Sequence, residues 1–391
     1  MTAHGRTEWL NQIEQEIGRE ILPVFVVNRN HRIIAANSAF VDIYSSEAVG
    51  RCCWEVTHGC RGPCAEEHLE CPSARVWKSM QPFRTLHTHR TPQGRAHHEV
   101  FSEPASIPEK RLPPVIHVIQ AIDEDSLSLG PNEAERLVGW SPPFTRMLSL
   151  ACRAARTDTP TLILGEVGSG RKLLGRVIHR LSARGARPLL SVDCARTDGD
   201  DLESKLREAA RPEQQTADSA ESRAGTLLLT RLDEARANLQ TRLLRMLRAD
   251  DREDRREDRR EDRREDRREG RVVENMRIVC VAQRDLRQLM EIKRFRPELY
   301  YRVSTLKISV PPLRARKSDI APLAKEMLRR LAPRRDHVLS VSVLDKLAGH
   351  DYPGNVAELR NVLERAWLMA GGREIRPVDI VFPRAEGETH A

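Results

Sequence analysis

Residues 161–181 read TLILGEVGSGRKLLGRVIHRL: a short apolar run, a glycine-rich turn, then apolar residues at helical spacing. A turn of that kind between strand and helix aims backbone N–H groups at an anion, and the helix N-terminus adds its positive end. The octet Gly165, Glu166, Val167, Gly168, Ser169, Gly170, Arg171 and Lys172 nearly matches the phosphate-loop pattern GxxxxGK[ST]. Arg171 stands where the lysine belongs, and Lys172 comes one residue late. A planar guanidinium keeps the charge but is wider than an ammonium, so the exchange is not neutral for phosphate contact. Taken alone, the octet also fits a plain strand-to-helix turn.

Working outward, apolar strands and amphipathic helices alternate: MLSLACRAA, TLILG, LLGRVIHRL, LLSVD, then TLLLT and MRIVCVA. This order predicts a parallel sheet covered on both faces. After Pro311-Pro312 the pattern is helical to about Ile380, a lid-like bundle. On the N-terminal side, residues 9–22 place Trp9, Leu10, Ile13, Ile17, Ile21 and Leu22 on one helical face. PVFVVN and RIIAAN flank Arg29-Asn30-His31 and predict a hairpin; Asn37 is the expected N-cap of a helix through Phe40 and Tyr44. HHEVFSE and PVIHVIQAI are two further strand-like runs. Together these describe an α+β domain over 10–122, a linker at 123–135, an α/β domain over 136–315 and a helical lid over 316–383.

The chain has 391 residues, enough for two or three domains. Its charged fraction is 31%, but Asp250–Arg271 alone carries 11 acidic and 10 basic residues. That four-residue Arg-Arg-Glu-Asp repeat, within a 249–271 insertion, puts like charges at every i,i+4 pair and reads as a solvated loop. The rest of the chain carries a net charge of +9, which admits an anionic partner without requiring one. No run approaches the roughly 18 apolar residues of a membrane span, and the N-terminus lacks signal-peptide character. A cytoplasmic protein is expected.

PVFVVNRNHRIIAANSAF, GRAHHEVFSEP and PPVIHVIQAI, in that order, resemble a PAS domain, which implies a sensor. Residues 139–195, 224–248, 276–328 and 350–372 resemble the AAA+ domain and lid of sigma-54-dependent transcription activators. The resemblance implies ATP or ADP binding, a ring of AAA+ subunits (its own or paralogous) and sigma-54 RNA polymerase as partner. Departures at key positions qualify it. Where the family has an Asp-Glu pair after the strand, this chain has Thr230 and Arg231, with Asp233-Glu234 three residues late. Neither Thr nor Arg can hold Mg²⁺ and polarise water as a carboxylate does. Asp193 replaces an Asn, Gln283 the sensor Asn, and Ala357 the lid arginine. The family's sigma-contacting Gly-Ala-Phe-Thr-Gly-Ala motif is replaced by REAARPEQQTADSAESR, and the chain stops at Ala391 without a helix-turn-helix. Sequence-specific DNA binding is therefore not expected, and nucleotide binding is expected to be weakened.

Arg296 and Arg302, in RFRPELYYR, match the family's arginine-finger region. A finger acts on a neighbour's nucleotide and does not need its own site intact. They are the only catalytic candidates, acting in trans, and surface salt bridges are the alternative account. Five cysteines lie within twenty residues; Cys53, Cys60, Cys64 and Cys71 offer four thiols, with His58 and His68 interspersed. Three readings stay open: a closed zinc or iron–sulfur site, thiol redox sensing, or separately packed cysteines. His87 and His89 would share a strand face that could line a cofactor pocket. The combined expectation is a sensor joined to a hydrolysis-deficient AAA+ module that regulates through protein contacts. Rival readings are a slow ATPase using Asp233-Glu234, a metal or redox sensor whose AAA+ remnant only oligomerises, and a decaying paralogue.

Overall fold

The computed structural model describes residues 11–64, 71–105, 113–122, 136–209, 225–248, 276–331, 339–371 and 374–383. The expected linker, the charged insertion, most of the segment replacing the sigma-contacting motif, and His68 lie outside the described residues. The chain divides into two compact units, 1–124 with 140–149, and 125–139 with 150–391.

In the first unit five strands form an antiparallel sheet: β1 (Val24–Val27), β2 (Ile33–Ala36), β3 (Phe83–Thr91), β4 (Gly94–Pro104) and β5 (Val115–Ala121), in the order β2-β1-β5-β4-β3. The β1–β2 hairpin closes through Asn28, whose Oδ1 accepts the Asn30 and Arg32 N–H groups at 2.9 and 3.1 Å. His31 takes the left-handed conformation in that turn, φ 56°. Asn37 caps the Ser38–Ile43 helix by accepting the Phe40 N–H at 3.0 Å. Its amide also donates to the carbonyls of Ile17, Glu20 and Leu22. The N-terminal helix ends at Ile17, where the chain turns at Gly18-Arg19, so among the described residues of the expected apolar face Ile13 and Ile17 are buried; Trp9 and Leu10 lie outside the described residues. Ile21, expected on that face, is 92% exposed. Where the sequence indicated two strands after the cysteines, there are three.

The second unit holds a parallel sheet: β6 (Thr161–Leu164), β7 (Leu189–Asp193), β8 (Thr226–Thr230), β9 (Arg277–Ala282) and β10 (Leu306–Ser309), in the order β10-β6-β9-β8-β7. Every residue of β8 and β9 is buried, as continuous apolar strands between two helical layers must be. The Arg171–Arg180 helix lies close against them because Gly175 has no side chain; a Cβ there would meet Leu228 Cδ1 at 2.7 Å. Arg277 is the charged exception at the start of β9. Its guanidinium donates to the carbonyls of Ala154 and Ala155 at 2.6 and 3.2 Å, and burial holds its pKa down to about 10. The lid consists of helices Ile320–Leu331, Val341–Ala348 and Asn355–Met369 around Leu323, Leu347, Tyr352, Leu359 and Leu363. No helix among the described residues is long and apolar enough to cross a membrane.

His117 on β5 is 1% exposed, stacked on Phe25 with ring centroids 4.6 Å apart. Hydrogen bonds join its Nε2 to Ser73 Oγ (2.8 Å) and its Nδ1 to Ser102 Oγ (2.6 Å). Burial drops its pKa from 6.5 to about 3. Below pH 6.5 the unfolded chain takes up a proton that the folded one refuses. Stability is therefore lost as pH falls from 6.5 toward 3, at up to ~1.4 kcal/mol per pH unit. Hydrogen-exchange protection of Val115–Ala121, corrected for intrinsic rates, should fall across that window. It should fall less steeply in His117→Asn; protection independent of pH would contradict the assignment.

Candidate functional site: a nucleotide-type cleft with inverted charge

The phosphate-loop octet occupies the turn from β6 into the Arg171–Arg180 helix, at the carboxyl end of the sheet, the end where parallel α/β sheets bind ligands. Gly168 and Gly170 both have positive φ, 72° and 102°. Ser169 is buried, and its Oγ has no hydrogen-bond partner. Arg171 is half-buried and Lys172 exposed; both border a cleft of about 720 Å³ between the sheet and the lid. Arg136, Arg231, Arg330 and Arg360 also line it, against the acids Asp193, Glu326 and Glu364. The surplus of cations suits an anionic ligand.

The lid grips the loop from one side. Asn355 is fully buried with φ 55°. Its Nδ2 donates to Val167 O at 3.0 Å and to Glu166 Oε2 at 3.1 Å, while its Oδ1 accepts the Leu313 N–H at 2.7 Å. Arg314 binds both carboxylate oxygens of Glu166; with Asn355 it holds that carboxyl down to about 2. The Val356 N–H donates to Gly168 O, and Ala357 lies against Gly168 at the place of the family's lid arginine.

At the end of β8 the expected departure takes physical form. Arg231 adopts a left-handed conformation, φ 53°, and its guanidinium forks onto both carboxylate oxygens of Asp193 at the end of β7. Glu234 adds a longer contact at 3.7 Å. The pair lowers the Asp193 pKa and raises that of Arg231. Asp193 and Thr230 are register partners, so the acid that the family keeps on β8 has a counterpart one strand over, covered by a guanidinium. Asp233 does not line the cleft. Its carboxylate is buried and accepts the backbone N–H groups of Gln283 and Arg284 at 3.0 and 3.2 Å. These residues do not fit a Mg²⁺ ion: a guanidinium occupies the carboxylate position, and the neighbouring carboxylate Asp193 is already paired.

The two finger candidates differ. Arg296 is exposed and precedes the Pro297–Val303 helix, its backbone N–H on Gln240 Oε1. The Arg302 guanidinium donates to Leu247 O at 2.6 Å and so holds two helices of its own chain together. In the first unit, a thiol hydrogen bond from Cys64 and a contact with His31 favour the Cys71 thiolate, while burial pushes the Cys53 thiol up to about 12. Cys60 Sγ donates to His58 O. Among the described residues, the histidine and cysteine group whose ligand atoms all lie within 4.8 Å is His58, His87 and His89, not the four cysteines.

Comparison with known proteins agrees with this layout. Residues 21–125 match a PAS fold, 137–309 the sigma-54 interaction domain, and 314–390 an AAA+ ATPase lid domain. The HTH-type transcriptional regulatory protein TyrR of Enterobacter agglomerans is 34% identical over 261 residues, 64% of this chain and 48% of that protein. The response regulator PilR of Pseudomonas aeruginosa is 33% identical over 264 residues, 64% of this chain and 56% of that one. The Nif-specific regulatory protein of Rhizobium leguminosarum bv. trifolii is 32% identical over 252 residues, 62% of this chain and 68% of that one. NtrX from Brucella abortus, solved with ADP, superposes with a TM-score of 0.50 at 23% identity, covering 66% of this chain and 58% of that one, a likeness of fold. The chain belongs to the sigma-54 activator family, with a PAS sensor and an AAA+ domain. It spans about half the length of the first two of these relatives.

The close lid contact gives a direct test. A Cβ on Gly168 would stand 2.1 Å from Gly354 O, at a φ that side chains rarely adopt. Gly168→Ala should cost about 1–3 kcal/mol. It should also raise hydrogen exchange in both 165–170 and 354–357. Exchange confined to the loop would mean that the lid does not depend on it.

Proposed function

We propose that this chain is a regulatory subunit of the sigma-54 activator type that binds nucleotide weakly, does not hydrolyse it efficiently, and acts through contacts with AAA+ subunits of its own kind or of a paralogue. The observation that carries this reading is the Arg231–Asp193 pair. A guanidinium paired with a carboxylate, where the family resemblance expects the acids that hold Mg²⁺ and activate water, supports loss of efficient hydrolysis. The phosphate loop keeps its backbone form, so an anion can still be held by main-chain N–H groups and the basic cleft. Arg171 and Lys172 line that cleft, but the lid arginine is absent.

A slow-ATPase reading would need Asp233-Glu234 to act from their displaced positions. Asp233 is committed to the backbone of Gln283 and Arg284, and Glu234 to Arg231, which speaks against it. A role in trans rests on Arg296, the exposed member of the finger pair. Sigma-54 polymerase is the partner that the family implies, although this chain's replacement for the contacting motif carries no Phe.

Equilibrium binding of a fluorescent ATP analogue, competed by ATP and ADP, tests the nucleotide site. Binding should change little when Mg²⁺ is replaced by a chelator, because the surplus of cations lining the cleft, rather than an ion, supplies the positive charge. Steady-state turnover should stay at background in wild type and in Asp233→Ala. Turnover that disappears on Asp233→Ala or Glu234→Ala would restore the ATPase reading. In mixed assemblies with an active family member, Arg296→Ala should lower the turnover attributable to mixed interfaces by ~10³-fold or more, the usual weight of a finger. Equal turnover with and without Arg296 would remove the trans role.

A further inference from the structure

The sensor unit contains a second constellation that the nucleotide cleft does not use. β3 carries His87 and His89 two residues apart, so both side chains leave the same face of the sheet, and both are 2% exposed. His58 follows the short Cys53–Thr57 helix and comes over that face. Its Nε2 lies 3.1 Å from His87 Nδ1, and its ring centroid is 4.9 Å from that of His89. One nitrogen from each ring lies within 4.8 Å of the others. Tetrahedral zinc, with bonds near 2.0–2.1 Å, sets ligand nitrogens about 3.3 Å apart, so the closest pair already has the required spacing.

The outer nitrogens are anchored in the manner of metal-bound imidazoles. His58 Nδ1 donates to Thr88 O at 3.0 Å, which leaves the Nε2 lone pair facing inward. His89 Nδ1 is bonded to Tyr44 Oη at 2.6 Å, which leaves its Nε2 for the cluster. Partners on the outer nitrogen fix the tautomer and aim the ligand. The three histidines border a small space of about 20 Å³, room for one ion or one water, and Cys53, Cys64 and Cys71 border the same space. Imidazole with thiolate nearby is a donor set for zinc and its first-row neighbours rather than for Mg²⁺ or Ca²⁺.

We propose that His58, His87 and His89 bind one divalent first-row transition-metal ion of the zinc class inside the sensor unit. Binding replaces the His58–His87 hydrogen bond by two coordinate bonds, and His87 takes its other tautomer, the proton passing from Nδ1 to Nε2. The ion then ties the loop after the Cys53–Thr57 helix to β3, two segments that are otherwise joined there by side-chain contacts.

The full chain, stripped with a chelator and dialysed against Zn²⁺ or Co²⁺, tests this by metal content, by competition with a chromophoric chelator, and by Co²⁺ ligand-field absorption. One equivalent per chain is expected, with a higher melting temperature for the metal-loaded form. The double variant His87→Gln/His89→Gln should lose the equivalent and the rise in melting temperature, while Cys60→Ser, which does not border that space, should keep both. Should the double variant not fold, Tyr44→Phe leaves all three ligands and removes only the anchor of His89, and should weaken binding ~10-fold. No stoichiometric uptake by folded wild type would overturn the proposal. So would uptake retained without His87 and His89 but lost in Cys64→Ser/Cys71→Ser, which would assign the metal to the thiols.

Discussion

One buried amide, Asn355, holds the nucleotide-type unit in its working form. It is fully buried in a left-handed conformation that most side chains avoid, and three hydrogen bonds offset that cost. Two of them reach the phosphate loop and one reaches the entry to the lid. Because the lid helix begins at this residue, the loop and the helix that faces it are placed by the same side chain. The cleft walls follow from that: Gly168 is pressed against Gly354, Val356 bonds to the loop carbonyl, and Ala357 opens into the space. Glu166 is drawn into the same knot through Arg314. A loop clamped so firmly presents its backbone N–H groups in one arrangement, whatever happens at the strand ends opposite.

Those strand ends combine regular backbone pairing with an unusual pair of side chains. β7 and β8 keep a regular parallel register up to Asp193 and Thr230. Just past that register Arg231 turns into a left-handed conformation, and its guanidinium meets the Asp193 carboxylate. Asp233, which by sequence distance alone could be thought a displaced substitute, is used instead to close the backbone after β9. A carboxylate so engaged has a structural task that explains its presence without reference to nucleotide.

Much of this was legible in the residues. The phosphate loop, the fully apolar strands β8 and β9, the Asn28–Arg32 turn and the Asn37 cap each have local causes, and each appears where the pattern put it. β3 was harder to see: FRTLHTHRT is polar in composition, and its buried histidines hide the alternation that apolar residues would show. The N-terminal helix illustrates the opposite error, since Ile21 continues the apolar spacing after the backbone has already turned at Gly18. Relations across the sequence were out of reach. That His58 would meet His87 and His89, that Arg302 would be occupied by Leu247, and that Asp193 would answer Arg231 depend on tertiary packing, which spacing along the chain does not encode.

The Arg231–Asp193 exchange also has a consequence for descent. An acid restored at 231 alone would face Asp193 with no cation between them, and an amide restored at 193 alone would leave Arg231 only its longer contact with Glu234. Each single step back toward the family's arrangement gives up the forked pair, and either gains like-charge repulsion or leaves the guanidinium a weaker contact. Only the paired reversal avoids both. The exchange therefore couples the two positions: what either side chain contributes depends on which residue stands at the other.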